Sequence, residues 1–415
     1  MISAHLSAAR PDLLEMTVVE GDSIRRLRYE GWGEVWPDQP SRLDFAAVAL
    51  AQYAAASGQD LHLNGPVTRD LLVNLDEYLR IWAVWRPDRF AHVELTADAE
   101  VPAAPGPRGA VIGFSGGVDS SFALAAHASG LLGRQSRSVD RGVLVIGWDI
   151  RHGDLAAARR VERSAAESLR AYGADLAVVS TNFQQEFCPA WFMMFNAGLV
   201  SVLTTFADDY SGAVVGNDQT YLQEFRTGPY GCHSSVNHLL GQPAFPVVTA
   251  GGTHDRVERL RVLRDHPALL KGLRVCFQSW AGGRNCGHCG KCLRTNLEMR
   301  AAGLDPSVAF PEPFTAEDFL RDAPTNPLVY WRHHDLYDQL PDDDPWRAHV
   351  GQWLDRYGTR PARPGAALRA RVADLEQRLV AADAVVDELH ASTSWRVTAP
   401  LRAVGSIGRR LTDQR

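Results

Sequence analysis

Two stretches of the chain combine residue types and spacings that can do chemistry. The first is Ser115-Gly116-Gly117-Val118-Asp119-Ser120, which follows the apolar run Ala110–Phe114 and opens a helical pattern through Phe122, Leu124 and Ala125. Adjacent glycines let main-chain N–H groups approach a ligand closely. At a helix N-terminus those groups are unpaired and favour an anion. The hydroxyls of Ser115, Ser120 and Ser121 add donors, so the stretch is built as a phosphate cradle. It has no lysine and is too short for the Gly-x-x-x-x-Gly-Lys-Ser/Thr loop, and it is not a Gly-x-Gly-x-x-Gly fingerprint either. Asp119 would repel a phosphate unless a Mg²⁺ ion bridged the two. The plainer alternative is a tight turn with Asp119 capping the helix.

The second stretch carries four cysteines within seventeen residues, Cys276, Cys286, Cys289 and Cys292, spaced C-x9-C-x2-C-x2-C. Four thiolates this close suit a tetrahedral structural Zn²⁺. An iron–sulfur cluster is the competing ligand, since C-x2-C-x2-C also opens ferredoxin-type runs. Arg284, Lys291 and Arg294 lie nearby to offset thiolate charge. Cys188 and Cys232 stand apart, and Cys232–His233 is a weak nucleophile pair because adjacent side chains rarely face each other.

The elements around these stretches set their positions. From residue 108 onward strand-like and helical patterns alternate: "GAVIGF", a helix from Ser120, "VLVIGWDI", the helix "LAAARRVERSAAESLRAYG", "DLAVVSTN", a long helical stretch, and "SGAVVGN". Alternation of this kind predicts an α/β fold with a parallel sheet and helices on both faces. Ligands in such sheets sit at the carboxyl ends of strands. The Ser115 loop, "GWDIRHG", "STN" and "GNDQ" should therefore converge on one crevice. The polar loop after the last of these strands, with Asn217, Asp218, Gln219, Arg226, His233, Ser234 and Asn237, is either a wall of the acceptor site or a solvated loop.

Four units are expected. Residues 1–107 form an α+β module: "LEMTVVEG", "RLRYEGW" and "DLHLNG" read as strands, and "RDLLVNLDEYLRIWAVW" places Leu71, Leu75, Tyr78, Leu79 and Trp82 on one helical face. Thr96–Gly109 reads as a linker. Residues 108–303 form the α/β domain with the cysteine site, and 304–362 a helical extension. Residues 363–415 form a C-terminal tail. In it Leu368, Val372, Leu375, Leu379, Ala382, Val386 and Leu389 make about three heptads, either a short coiled coil joining a homodimer or partner protein, or a docked amphipathic helix. Val397, Leu401, Val404, Ile407 and Leu411, with Arg396, Arg402, Arg409 and Arg410, form a basic amphipathic segment suited to an anionic membrane surface or a partner.

The chain has 415 residues, 45% hydrophobic and 22% charged, with a net charge of −6. That balance argues against a nucleic-acid partner. No run is long enough to span a membrane, and the opening residues lack a secretory pattern. A cytoplasmic location, with contact at the inner face of the membrane through the tail, is the expectation.

Strand, Ser-Gly-Gly-Val-Asp-Ser and helix together resemble the PP-loop of the N-type ATP pyrophosphatases, whose fold is adenine nucleotide α-hydrolase-like. With the cysteine arrangement and "GWDIRHG", the stretch from about Arg108 to Gly303 is most similar to 7-cyano-7-deazaguanine synthase-like members. The resemblance implies that ATP is split between its α and β phosphates, that AMP is placed on a substrate oxygen, and that ammonia or an amine then displaces it. It implies that Ser115, Gly116, Gly117, Val118, Asp119 and Ser120 hold pyrophosphate, with Asp119, Ser115 and Ser120 as catalytic candidates. Gly147, Trp148 and Asp149 would lie along the adenosine. Asn182, Asn217, Asp218, Arg256 and Arg259 complete the nucleotide-binding candidates, with ATP, Mg²⁺ and structural Zn²⁺ as cofactors. The chain departs from these relatives in its N-terminal module, its tail and the stretch after the fourth strand, where the small-molecule acceptor would bind. No glutaminase unit is apparent. The segment "STSWRVTAPLR" resembles tails of bacterial polysaccharide-pathway glycosyltransferases, which implies a surface-glycan or specialised-metabolite setting. A tRNA- or nucleobase-modifying enzyme and a non-catalytic nucleotide-binding scaffold are the alternative readings.

Overall fold

A computed structural model of the chain describes residues 1–32, 40–310, 314–324, 327–358 and 395. The chain divides into two units, residues 1–359 and 360–415. The heptad and basic-tail expectations fall in the second unit, outside the described residues.

Ten strands form one sheet: β1 (Ile2–Arg10), β2 (Leu13–Glu20), β3 (Ser23–Gly31), β4 (Leu61–Thr68), β5 (Leu95–Val101), β6 (Ala110–Gly113), β7 (Val139–Ile146), β8 (Asp175–Thr181), β9 (Ala213–Gly216) and β10 (Val247–Ala250), in the order β10-β9-β6-β7-β8-β3-β2-β1-β4-β5. Within β10-β9-β6-β7-β8 every neighbour pair is parallel. The sheet continues through an antiparallel junction, Tyr29–Gly31 of β3 against Val179–Thr181 of β8. Residues 1–107, expected as a module of their own, are thus the other half of a single mixed sheet, mostly parallel. Part of the expected linker is strand β5, paired in parallel with β4.

Thirteen α-helices occur among the described residues: α1 (Asp44–Ser57), α2 (Arg69–Trp85), α3 (Val118–Ala128), α4 (Leu155–Arg170), α5 (Phe183–Glu186), α6 (Trp191–Thr204), α7 (Tyr221–Thr227), α8 (Arg256–Leu263), α9 (Pro267–Lys271), α10 (Gly290–Ala301), α11 (Ala316–Arg321), α12 (Pro327–Gln339) and α13 (Pro345–Tyr357). The anticipated face of α2 is buried in full: Leu71, Leu75, Tyr78, Leu79 and Trp82. The capping boxes Thr220/Gln223 and Asp255/Glu258 start α7 and α8. Residues 304–358 supply α11 to α13, the short helices expected there.

The short central strands alternate between two cores, because successive side chains point to opposite faces. Val111, Val143, Ala213 and Val215 join a core with α1, α2 and α6. Ala110, Ile112 and Val214 join another with α3, α8 and α10. Both faces of the parallel half are therefore covered by helices, as the alternation requires. Numbered from β6, that half has the order 5-4-1-2-3, so the strand order reverses between β6 and β9. In open α/β sheets a crevice forms at the carboxyl ends flanking such a reversal.

Candidate functional site

The loop after β6 and the loop after β9 meet at this reversal. Gly116, at φ 74°, turns the chain out of β6, and Gly117 is the last residue before α3. The Gly117 N–H donates to the Ser115 hydroxyl at 3.2 Å, and Ser120 Oγ lies 3.3 Å from Ser115 Oγ. Gly216 ends β9 so close to α3 that a Cβ there would stand 2.6 Å from the Asp119 carbonyl oxygen. Only glycine lets these two strand ends adjoin.

A cavity of about 550 Å³ opens here. Of the expected residues, Ser115, Gly117, Val118, Asp119, Trp148, Asp149, Asp218 and Arg256 line it. Arg259 stands directly behind Asp119. Arg256 and Arg259 are both tied to that carboxylate, at 2.9 and 2.5 Å. Burial opposes ionisation of Asp119, but Arg256, then Arg259 and Arg332, outweigh it and hold the carboxyl at about 2. Arg256 is also paired with the buried Glu298 at 2.9 Å. Arg259 is buried and donates to the carbonyls of His254, Asn217 and Gly251, so it is a brace between loops as well as a counter-ion.

Several nominated residues do other work. Asn182 accepts from the Arg28 N–H at 2.9 Å and donates to the Arg26 carbonyl at 2.7 Å. It fastens the antiparallel junction and does not line the cavity. Asn217 is buried and donates to Glu224 at 2.8 Å. The Gly147 carbonyl accepts from Gln185 at 2.6 Å, so Gly147 only leads into Trp148 and Asp149. In the polar loop Arg226 pairs with Asp335, Ser234 with Glu224, and Asn237 with Asn196. The His233 ring packs against Trp85, tilted by 50° with ring centroids 4.8 Å apart. Burial pushes the Cys232 thiol far up, so it is no nucleophile. Asp218 and Tyr230 are what this loop contributes to the cavity wall.

The cavity also holds cations that sequence reasoning did not nominate for it: Arg274, Lys291, Arg294 and Arg332, the last from α12 in the helical extension. With Arg256 that makes five cationic side chains against four carboxyls, Asp119, Asp149, Asp218 and Asp322. Burial raises the Asp218 and Asp322 carboxyls, which weakens the negative side further. The Nε atoms of Arg274, Arg294 and Arg332 are buried with no hydrogen-bond partner. The Arg294 Nε still has the Glu298 carboxylate at 3.5 Å, whereas those of Arg274 and Arg332 have none as near. Buried N–H groups left unbonded are costly, and two beside one cavity point to an anionic ligand. The cavity lining is also aromatic, with Trp148 packed edge-on against Trp191 at 5.2 Å, and Phe192, Tyr230 and Phe277 among the lining residues. The Trp148 indole N–H is buried and unbonded as well.

The donor set fits a hard cation at one point. Asp218 Oδ1 is buried without a hydrogen bond, and its other oxygen is 3.6 Å from Arg332. Asp119 is saturated by its arginines.

The four cysteines come together beside the cavity, all sulfurs within 4.8 Å of one another. Cys276 and Cys289 are 3.9 Å apart, Cys286 and Cys292 3.8 Å. Four bonds of about 2.3 Å to one tetrahedral ion place sulfurs about 3.8 Å apart, which matches. A polynuclear cluster would hold them wider. The Gln278 N–H donates to the Cys276 sulfur and the Cys289 N–H to the Cys286 sulfur, supports typical of bound thiolates. Cys289 caps α10 and Cys292 lies in its first turn, where the helix dipole favours negative charge. This cluster can hold a metal ion such as zinc. Its loop reaches the cavity through Val275, Phe277, Gly290 and Lys291, so the metal would shape one wall. Of the three nearby cations, Lys291 lies over the Phe277 ring and Arg294 faces Glu298.

No helix among the described residues is long and apolar enough to cross a membrane. Comparison with known proteins finds no family model, no curated protein and no solved structure that matches the chain.

Proposed function

We propose that the chain is an ATP-dependent, AMP-forming ligase of the PP-loop type, joining a small-molecule oxygen acid to ammonia or an amine. The observation that carries this reading is the Ser115–Ser120 loop, which opens α3 at the strand-order reversal and shares one cavity with Arg256, Arg274, Arg294 and Arg332. The cavity volume falls in the range that takes a nucleotide-sized ligand, about 300–1,000 Å³.

In this reading the free N–H groups in the first turn of α3 and the Ser115 and Ser120 hydroxyls hold the β and γ phosphates. Arg332 and Arg274 turn their unbonded Nε–H groups to the remaining phosphate oxygens, and Arg294 adds its charge beside them. Trp148 and Trp191 offer the faces against which the base stacks. The acceptor oxygen attacks the α phosphorus, the bond from the α phosphorus to the bridging oxygen breaks, and pyrophosphate leaves with the electron pair. The arginines stabilise the charge that gathers on it, already aimed and shielded from water. A Mg²⁺ ion held by Asp218 and Asp119 would supply further neutralisation of the phosphates. The amine nitrogen then attacks the activated carbon, and AMP departs with the oxygen. Zinc at the four cysteines has a structural part, holding Phe277 and Lys291 in the wall.

The test is product analysis by phosphorus NMR. Metal-loaded protein is mixed with Mg·ATP and size-fractionated metabolite extracts, with Asp119→Asn run alongside. AMP and pyrophosphate from the native chain alone support the reading. ADP and phosphate as products overturn it.

A further inference from the structure

Behind the Ser115 loop lies a second cavity, of about 270 Å³. It is walled by α4, by residues 271–274, by the cysteine loop at Gly283–Asn285 and by Val308 and Ala309. The Gly116 carbonyl, accepting from the Arg274 N–H at 2.8 Å, is part of the partition between the two cavities. Ser115 and Arg274 line both.

The charged side chains lining the smaller cavity are Arg160, Lys271, Arg274 and Arg284, and no carboxylate lines it. Ser115 and Ser164 bring hydroxyls. Arg274 has a side chain only 11% exposed, a buried Nε without a hydrogen bond, and Asp149 no nearer than 3.9 Å. Among the described residues Lys271 and Arg284 form no ion pair, and both are exposed at the rim. Four cations around one small hollow repel each other, and an anion in their midst removes that cost.

We propose that this hollow is a second anion site, for a small polyvalent oxyanion of the phosphate or pyrophosphate class. Its volume lies below the usual range for nucleotide-sized ligands, so it takes the inorganic ion and not ATP. Its position, back to back with the Ser115 loop across Arg274, places it to receive pyrophosphate leaving the larger cavity. The site itself does not depend on the ligase reading; only that assignment of source does. The metal loop forms one wall, so an intact cysteine centre is needed for the site.

The experiment is calorimetric titration of the full, metal-loaded chain, saturated with Mg·ATP, by pyrophosphate and separately by phosphate. The same titrations are run on Lys271→Ala/Arg284→Ala, two rim residues outside the larger cavity. The expected result is that ATP-saturated native protein still takes up one equivalent of pyrophosphate, and that the double variant binds it about a hundredfold more weakly, about tenfold per lost charged contact, with ATP affinity unchanged. Tighter binding of phosphate than of pyrophosphate would keep the site and reassign its source. No uptake of either ion by the ATP-saturated native protein, or identical titrations for native and variant, overturns the proposal. If ATP does not bind but the cation-dependent pyrophosphate uptake persists, the ligase reading alone fails.

Discussion

Asp44 and Asp119 each lie in the first turn of a helix packed on the same sheet, and their surroundings could hardly differ more. Asp44, in the N-terminal half, accepts from the Thr68 N–H at 2.8 Å and the Thr68 hydroxyl at 2.6 Å, with Arg42 beside it. Asp119, in the other half, faces two buried arginines that belong to a larger charged group. The contrast extends to the halves themselves. Gln52, buried in the first, bonds to Tyr78 and to the Met193 carbonyl. Among its described residues only Trp82 has a buried side-chain polar atom left unbonded. The second half leaves many, including Asp218, Arg274, Arg294 and Arg332. Unbonded buried groups cost stability, so one half satisfies its polar groups internally while the other keeps them open for something else.

The sharpest way to break this comparison is to exchange the consequences. Asp119→Asn should lower turnover roughly a thousandfold, the scale of losing one preorganised charge contact, and should also lower the melting temperature, because Arg256 and Arg259 lose their shared carboxylate. Asp44→Ala should cost about 2 kcal/mol of stability with full activity per folded molecule. If Asp44→Ala abolished turnover in folded protein, the two halves would not differ as described.

Next in size is the cysteine centre. Cys289→Ser should lose the bound metal, read by atomic absorption, and lower the melting temperature by about 10 °C or more, because metal binding is coupled to folding. Arg332→Met addresses the cation that arrives from α12. It should raise KM for ATP by about tenfold to a hundredfold, with a smaller loss of stability from its contacts to Asp218.

The smallest effect is acid sensitivity. Burial lowers the His127 and His333 imidazoles to about 4, against about 6.5 in an unfolded chain. Their contribution is complete above pH 6.5 and is lost as pH falls toward 4, because the unfolded state takes up the protons first. Asp119, held at about 2, adds a further loss between about pH 4 and 2. The histidines of the first half, His5, His62 and His92, are not buried. Hydrogen exchange at pH 5 should therefore show amides of 108–358 losing protection before those of 1–107, and His333→Phe should reduce the difference.

The parts of this arrangement legible in the sequence are those where local chemistry decides. The turn at Gly116–Gly117, the amphipathic face of α2, the alternation from β6 to β9 and the cysteine cluster each follow from neighbouring residues. Helix α1 carries no periodic signal in the sequence: it is buried almost all round, so "DFAAVALAQYAAAS" has no polar stripe to mark its period. The joining of β3 to β8 depends on residues 150 positions apart, and Asn182, which secures it, looks in sequence like any strand-end polar residue. Arg332 and Arg274 had no local signal at all, since their meaning comes from the wall they share. Asn217 and Asp218 are neighbouring candidates of the same polar loop, yet one side chain turns inward to Glu224 and the next lines the cavity.

The most direct test of the central claim is a crystal structure of the zinc-loaded chain with Mg²⁺ and an ATP analogue that cannot be cleaved between the α and β phosphates. The account predicts the β and γ phosphates on the Gly117–Ser120 N–H groups, with Arg332 turned from Asp218 to a phosphate oxygen. A triphosphate bound away from the Ser115 loop, with Asp119 still locked to Arg256 and Arg259, would contradict it.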